Sequence, residues 1–327
     1  KGYFRQLFVR RQGEDYLTRR FRPHKGMLVT TGLTYSTSRG LAHRAAQRDF
    51  VFFPGDLRRW QNLSDVEIVA LHSWSASRLK IKDLDLQKNI VTFTASPTFR
   101  IGYWHQDSRI GYWYQYVRNP YYVENVREEL KRPGEWYLDR PSGTFTYLPF
   151  PEEKLSNTTL VAPLLEKLIV LQGDPKKGRF VEHVRFQGLR FGQTEWPVPD
   201  AGYDVSQGQP QLPSAIELTG ARFCGLERCV IANTGAYGVT LGVGCAQCFV
   251  RGCFLYDLGG GGVKIGDCWM DQQAPPPTLP VGNLVENNTI THYGVIHYSA
   301  NGVWAGIVRN SKIRHNEVRH GPYTGIA

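Results

Sequence analysis

The amino-acid sequence predicts an all-β protein, in which a right-handed parallel β-helix is preceded by a β-rich, antiparallel and sandwich-like module. Three observations favour this fold class. The 327 residues include 34 Gly and 19 Pro, too many turn formers for a mostly helical chain. Short runs in the first half alternate apolar and polar residues. The second half repeats one hydrophobic pattern at periods of 24, 35 and 28 residues, which is typical of a solenoid.

Residues 1–155 are predicted to form the antiparallel module. Alternating runs at Glu67–Leu71, Ile90–Thr94 and Thr144–Leu148 are separated by Gly, Pro, Asn and Asp turns, as expected of antiparallel strands. Val123–Leu130 is the best helix candidate in this half, because Pro133 and Gly134 follow it as a stop signal.

Residues 178–327 are predicted to form the β-helix, after a connector at 156–177. Aligning the repeats gives two registers, one with Cys229, Cys253, Asn288 and Asn316, the other with Ile231, Leu255, Ile290 and Val318. Each copy continues into a Gly turn and a second short apolar strand. Amides at a recurring turn can hydrogen-bond from coil to coil, while inward apolar residues stack. A leucine-rich repeat is disfavoured because its leucine pattern and helices are missing.

Six cysteines fall between residues 224 and 268. Cys245 and Cys248 have CxxC spacing, but no second CxxC or CxxH accompanies them, so a zinc site or a redox role has weak support. Free Cys is among the most buried residue types. We therefore expect small core side chains at equivalent positions of successive coils, and we predict no metal and no cofactor.

The formal net charge is +10, and residues 1–50 carry eleven Lys and Arg against three acidic residues. Such a segment could attract phosphate, sulfate or uronate groups, or it could be a solvated sheet surface whose acidic complement lies outside the sequence. No run of about 18 apolar residues suggests a membrane span. The sequence opens within a strand pattern and stops within a repeat, so we expect a piece of a longer protein that aggregates or needs a cap.

Because a β-helix presents its outward side chains in rows, a site is expected where different coils share one register. Four residues after the Cys/Asn position the coils carry Asn233, Asp257, His292 and His320, and Trp304 follows the glycine turn of one coil. A carboxylate, imidazoles and an exposed indole are typical of sugar binding and acid–base catalysis.

Each of these residues also has a structural interpretation. Asp257 precedes the glycines at 259–262 and could fix that turn through hydrogen bonds, and the imidazoles could be solvated corner residues. The glycine run lacks a following helix or Lys-Ser/Thr, so it indicates positive φ and close coil packing rather than phosphate binding. Glu286 is expected to face solvent. Asp267 ends a buried strand before a proline-rich loop at 270–280, where a cleft wall would stand.

Several motifs resemble one known group of enzymes, the bacterial β-helix glycoside hydrolases of families 141 and 120. They are Phe4–Val9, Tyr122–Val126, Pro133–Arg140, Gly143–Pro149 and Pro322–Ile326. The resemblance implies a secreted or periplasmic enzyme that acts on plant or algal polysaccharide, with fucosidases, xylanases and xylosidases among its relatives. It also implies two catalytic carboxylates and no obligatory metal.

The resemblance places one catalytic carboxylate at Asp267, which follows a Gly at the end of a strand, and our first choice for the second is Asp257. A family 120 enzyme would carry Glu where His297 stands, and many relatives carry an acid where Gly321 stands. The second carboxylate could then also be Glu286 or a residue beyond Ala327, or the protein could have lost or altered the activity. Carboxyl groups about 5–5.5 Å apart imply retention of configuration and about 6.5–9.5 Å inversion. The side chains expected to line substrate subsites are His292, His297, Trp304, His320 and Glu286.

The predicted function is hydrolysis of a glycosidic bond in a polysaccharide or oligosaccharide, anionic substrates included, with no nucleic acid as partner. One alternative is a polysaccharide lyase acting on a uronate with Lys264 or Arg314 as base, although no cluster of calcium-ligand density accompanies them. A second alternative is a β-helix that binds glycans without turnover.

Overall fold

A computed structural model describes residues 4–30, 48–72, 74–98, 101, 119–205, 207–268, 275 and 277–327. The chain forms two compact units. The first contains Lys1–Arg19, Asn157–Pro197 and Gln207–Ala327, and the second contains Arg20–Ser156 and Val198–Ser206. The predicted all-β fold class is confirmed, with stacked parallel strands in the first unit and antiparallel strands in the second.

The strands of the N-terminal half are β1 (Leu7–Arg11), β2 (Thr18–Arg20), β3 (His24–Val29), β4 (Asp49–Val51), β5 (Glu67–Leu71), β6 (Ala76–Asp85), β7 (Ile90–Phe93), β8 (Pro120–Glu124), β9 (Trp136–Asp139) and β10 (Thr144–Tyr147). The strands that follow are β11 (Thr158–Val161), β12 (Ile169–Gln172), β13 (Val181–Glu182), β14 (Arg185–Gln187), β15 (Arg190–Gly192), β16 (Ser214–Thr219), β17 (Ala221–Arg222), β18 (Gly225–Glu227), β19 (Val230–Thr234), β20 (Tyr237–Leu241), β21 (Phe249–Arg251), β22 (Phe254–Leu258), β23 (Val263–Gly266), β24 (Leu284–Glu286), β25 (Thr289–Tyr293), β26 (Val303–Gly306), β27 (Lys312–Arg314) and β28 (Glu317–Arg319). Short 3-10 helices lie at Leu63–Asp65, Arg127–Glu129, Leu155–Asn157 and Pro175–Lys177.

The second unit is built on a six-stranded antiparallel sheet in the order β3-β8-β5-β6-β7-β4, together with the β9–β10 hairpin. Its core contains Ile68, Leu79 and Tyr121, each at most 1% exposed. The helix predicted over Val123–Leu130 is wrong. Its first residues belong to β8 and pair with β5, and the chain then passes through Asn125, whose φ is +65°, so only one 3-10 turn remains.

The first unit stacks its coils into three five-stranded parallel sheets. Sheet 1 contains β12, β16, β20, β23 and β26, sheet 2 contains β14, β18, β21, β24 and β27, and sheet 3 contains β15, β19, β22, β25 and β28. The predicted register is confirmed, because Ile231, Leu255, Ile290 and Val318 lie beside one another in sheet 3. The apolar side chains that point inward form one continuous core. In addition, β1 pairs antiparallel with β11 in this unit.

The coils turn their corners through single residues with a left-handed backbone. Before sheet 2 these are His183, Phe223, Gln247, Gly282 and Asn310, and within sheet 3 they are Gln193, Asn233, Asp257, His292 and His320. Their φ values lie between +49° and +66°, a region that costs energy for most L-residues. The repetition of this conformation in successive coils stacks each corner on the one before it.

The Cys/Asn register forms a hydrogen-bonded ladder along the coils, as predicted. Asn288 donates from Nδ2 to the Val250 carbonyl and to Asn316 Oδ1, both at 2.9 Å, and its Oδ1 accepts from the Cys253 amide at 2.8 Å. The Cys229 thiol likewise donates to the Phe186 carbonyl at 3.5 Å. Five cysteines (Cys224, Cys229, Cys245, Cys248 and Cys253) are buried, which confirms their expected place in the core, and Cys268 is half-buried.

The four glycines at 259–262 pack directly against neighbouring coils. A Cβ on Gly259 would lie 2.2 Å from the Gly235 carbonyl oxygen, and one on Gly261 would lie 1.9 Å from that of Asn301. The predicted close packing is therefore confirmed. The predicted positive φ is wrong, because none of the four has a left-handed backbone.

The basic N-terminal segment finds its acidic partners within the chain. Arg11 pairs with Glu14, Arg19 with Asp257, Arg20 with Glu153 and Arg22 with Glu67. Part of the acidic complement thus lies within the chain, and the described part of residues 1–50 is not a continuous surface of unpaired cations. Arg39, Arg44 and most of the proline-rich loop at 270–280 lie outside the described residues. Within the described ranges, no helix is both long and apolar enough to cross a membrane.

Candidate functional site

The residues predicted for the site lie in separate parts of the β-helix. Asp257, His292 and His320 share one corner row, within sheet 3. Trp304 and Asp267 belong to sheet 1 and its edge, since Trp304 is in β26 and Asp267 directly follows β23. Glu286 and His297 lie elsewhere, as described below.

The corner row brings the predicted polar side chains into contact. Asp257 accepts from Arg19 Nε on Oδ1 at 2.8 Å and from Asn233 Nδ2 on Oδ2 at 2.6 Å. The rings of His292 and His320 lie 4.9 Å apart, and both side chains are exposed. The shared register is as predicted. Both oxygens of Asp257 are engaged, which favours its structural interpretation.

Asp257 and Asp267 lie at opposite ends of β23. Asp257 precedes the glycine turn that leads into this strand, and Asp267 follows its last residue, Gly266. Four strand residues span about 13 Å, so the structure does not bring this predicted pair of carboxylates to one end of the sheet. Their catalytic roles stay predictions.

Two further predicted side chains are buried. His297 is 3% exposed, and its ring packs edge-on against Trp196 with the centroids 4.2 Å apart. Glu286 is 8% exposed and pairs with Arg314, at 2.8 Å, one coil further on. The expectation that Glu286 faces solvent is wrong, because the long guanidinium side chain of the next coil covers it.

The outer surface of sheet 1 carries the densest group of chemically active side chains near a predicted residue. Strand alternation turns Val239, Val263 and Val303 inward, and it places Glu217, Thr240, Lys264 and Trp304 side by side on the outside. We call this outer row, with Asp267, the sheet 1 site. Lys264 entered the sequence analysis only as a possible lyase base, and Glu217 did not enter it.

Lys264 is a buried amine, 7% exposed. It donates to the carbonyl oxygens of Pro210, at 3.0 Å, and Leu212, and its Nζ lies 5.1 Å from the centre of the Tyr237 ring. Burial lowers the pKa of Lys264 to about 8, against the opposing effect of Glu217 and of Asp267. The sheet 1 site therefore contains a buried amine whose pKa is lowered by burial and raised by two nearby carboxylates.

Glycines shape the surface around Trp304 and Asp267. A Cβ on Gly306 would lie 2.3 Å from the Trp304 ring, so the indole lies over the bare backbone of that residue. Gly266 has a φ of +86°, and a Cβ on it would lie 1.9 Å from the Gly306 carbonyl oxygen. The Gly266–Asp267 sequence thus reflects a close approach of two coils, which fixes the backbone that carries Asp267.

The chemistry available at the sheet 1 site is that of sugar binding and proton transfer. An indole offers a flat apolar surface for a sugar ring, and carboxylates can transfer protons or stabilise positive charge. Among the described residues, no group of three or more His, Cys, Asp and Glu side chains is arranged to hold a metal ion.

Comparisons with known proteins agree with this architecture. Residues 38–150 match the family model of the GH141 insertion domain. No curated protein matches the chain. A solved structure described as a glycoside hydrolase is similar to it with a TM-score of 0.78 and 22% sequence identity, over 99% of this chain and 60% of that one. The chain thus spans about three fifths of the length of that relative.

The resemblance to family 141 is confirmed over residues 38–150, which lie largely within the second unit. The similarity to the solved structure is one of fold, and it extends over nearly the whole chain. The link to family 120 stays a prediction.

Proposed function

We propose that the protein is a glycoside hydrolase and that its sugar substrate binds on the outer surface of sheet 1. The family match at residues 38–150 and the fold of a glycoside hydrolase support the reaction class. The observation that carries the location is the buried amine of Lys264, with Glu217 and Asp267 acting on it and Trp304 beside it.

In this proposal Trp304 supports a sugar ring, and Asp267 supplies one of the two carboxylates that glycoside hydrolysis needs. Glu217 is the proposed second carboxylate, because it lies on the same sheet surface and influences the same ammonium group as Asp267. Both of its oxygens are engaged, as those of Asp257 are, since it accepts from the Ser214 amide at 2.9 Å and pairs with Lys167, so its place on sheet 1 is what favours it. Lys264 would hold positive charge near both carboxylates in a water-poor setting, where electrostatic effects are large. In this proposal Asp257 fixes a corner of the coil through Arg19 and Asn233 and takes no part in the reaction.

The test compares three variants of the full chain, Asp267→Asn, Glu217→Gln and Asp257→Asn, with Glu317→Gln as an exposed control on sheet 3. Release of reducing ends from xylan and of chromophore from aryl xylosides and fucosides is measured. We expect Asp267→Asn and Glu217→Gln to lower kcat by about a hundredfold or more, and the other two variants to stay near the parent.

Full activity of Asp267→Asn would refute the proposed site. Loss of activity only in Asp257→Asn would indicate that the catalytic carboxylates lie in the corner row instead. Binding of these glycans without turnover by the unaltered chain would favour the non-catalytic alternative.

A polysaccharide lyase is the second candidate, because the lowered pKa of Lys264, about 8, suits an amine base. Such an enzyme would remove the proton next to a uronate carboxylate while the glycosidic oxygen leaves from the adjacent carbon, and the new double bond gives an unsaturated sugar that absorbs ultraviolet light. Appearance of that absorbance with pectin or alginate, and its loss in Lys264→Met but not in Asp267→Asn, would decide for the lyase.

The natural substrate is proposed to be a plant or algal polysaccharide, and the proposed location is outside the cell or in the periplasm. Both follow from the resemblance to family 141, and polymers of this size are available to an enzyme only outside the cytoplasm. Fractionation of cells that produce the complete protein, followed by immunodetection, tests the location.

A further inference from the structure

A groove of about 700 Å³ runs along the outer surface of sheet 2. It lies on a different sheet from the proposed catalytic residues. Its floor is the outward row of sheet 2, in which Arg185, Gly225, Phe249, Leu284 and Lys312 are neighbours on successive strands. Five parallel strands extend over about 19 Å, which is enough for a short oligosaccharide laid across them.

The centre of the groove is an aromatic ring with two guanidinium groups close to it. Arg185 and Arg251 lie 5.6 Å and 5.3 Å from the centre of the Phe249 ring. A Cβ on Gly225 would lie 2.7 Å from the same ring, so this glycine leaves the space that the ring occupies. Glu227 pairs with both arginines and fixes their direction. Contacts with Gly225 and Glu227 thus fix the positions of the Phe249 ring and the two guanidinium groups.

The groove has a surplus of positive charge. Its cationic lining consists of Arg185, Arg251, Lys312 and Arg314. Among the described residues, Glu227 pairs with Arg185 and Arg251, and Glu286 pairs with Arg314. Lys312 is exposed and, in the part of the chain that the structure describes, forms no ion pair.

A second aromatic pair stands at the corner beside the floor. The ring of Phe223 stacks on that of His183 with the centroids 5.0 Å apart and the planes 6° from parallel. Phe223 is 43% exposed and has a φ of +54°, a conformation that is unusual for a large side chain. The corner therefore presents an aromatic surface to the groove where a Gly or Asn would fit the backbone with less strain.

We propose that this groove is a binding site for an anionic segment of a glycan, separate from the catalytic surface. Carboxylate or sulfate groups would be bound by Lys312 and by the guanidinium groups, and sugar rings would lie on Phe249 and Phe223. Cations and aromatic rings would also suit a single-stranded nucleic acid, but the match to a family 141 domain and the fold of a glycoside hydrolase favour a sugar chain. Such a site would hold a charged polysaccharide on the protein while hydrolysis takes place on sheet 1.

The test measures binding of the full chain by calorimetry to an oligogalacturonate, a sulfated oligosaccharide and a neutral xylo-oligosaccharide of equal length. Two groove variants, Lys312→Glu and Phe249→Leu, are compared with Lys176→Glu, an exposed charge reversal outside the groove. We expect tighter binding of at least one anionic ligand than of the neutral one, weakened about tenfold by Lys312→Glu and unchanged by Lys176→Glu. Comparing the affinities of the two anionic ligands shows whether the site prefers carboxylate or sulfate groups.

Phe249→Leu keeps an apolar side chain without a flat ring, and we expect it to weaken binding while the far-ultraviolet spectrum stays that of the parent. Equal binding of neutral and anionic oligosaccharides would overturn the proposal, as would equal effects of Lys312→Glu and Lys176→Glu. Tighter binding of single-stranded DNA than of either anionic glycan would also overturn it. Binding is measured without turnover, so a chain that binds but hydrolyses nothing refutes the proposed function and leaves this proposal standing.

Discussion

The buried amine of Lys264 makes the stability of the β-helix depend on pH in a way that a single substitution isolates. Lys264→Met keeps the length and much of the volume of the side chain but removes the titrating group. The carbonyls of Pro210 and Leu212 lose their donor in the variant, and that loss is the same at every pH. Any pH dependence of the difference between the two proteins therefore comes from the amine.

The sign follows from the lowered pKa. Between the folded pKa, about 8, and the ordinary value of 10.5, the unfolded chain binds a proton that the folded chain does not. The free energy of unfolding of the parent therefore rises with pH across this window, whereas a group with a raised pKa would make it fall. A shift from 10.5 to about 8 corresponds to about 3 kcal/mol, and at 7% exposure solvent screens little of it.

The assay is unfolding in guanidinium chloride, followed by tryptophan fluorescence, at several pH values from about 7.5 to about 10.5. We expect the free energy of unfolding of the parent, minus that of Lys264→Met, to increase by about 3 kcal/mol across this range. The other lysines and the tyrosines titrate in both proteins and cancel in the difference. A difference that stays constant, or that decreases, would refute the burial of a lysine with a lowered pKa on sheet 1.

The remaining predictions concern the coils themselves. Asn288→Ala removes a ladder amide that is 1% exposed and leaves the Val250 carbonyl and the Cys253 amide without that partner, so we expect a loss of about 2–4 kcal/mol in the same unfolding assay. A loss below about 0.5 kcal/mol, as for an exposed residue, would contradict the ladder. Gly261→Ala forces a Cβ to within 1.9 Å of a backbone oxygen, and we expect no cooperative unfolding transition. Gly26→Ala, with nothing within 4 Å, is its control and should fold, and a stable Gly261→Ala would disprove the close coil contact.

The sequence predicts the β-helix well where one residue type recurs in one environment. Ile231, Leu255 and Ile290 show the register because each must face the same core, and a ladder position is visible because Asn or Cys recurs in an apolar setting. The pattern fails for Val123–Leu130, where pairing of β8 with β5 overrides local helix propensity.

The site is harder to predict because its properties depend on what covers each side chain. Lys264 gives no sign in the sequence that the carbonyls of Pro210 and Leu212 lie above it, and burial rather than residue type lowers its pKa. Glu286 pairs with Arg314 only because the coil between them has 28 residues, which places the two side chains on adjacent strands. The corner before sheet 2 also escapes detection, since the His, Phe, Gln, Gly and Asn residues that form it share a backbone conformation and no side-chain chemistry.

Each coil is held to its neighbours by its own backbone and ladder hydrogen bonds. The number of residues inserted at a corner therefore does not disturb the stacking of the coils. Adjacent coils can therefore carry segments of very different size, as the interval between Gly266 and Val281 shows, while Val281 still bridges Ala246 and Arg309. The length and sequence of such a segment can therefore change while the coils beneath keep their dimensions.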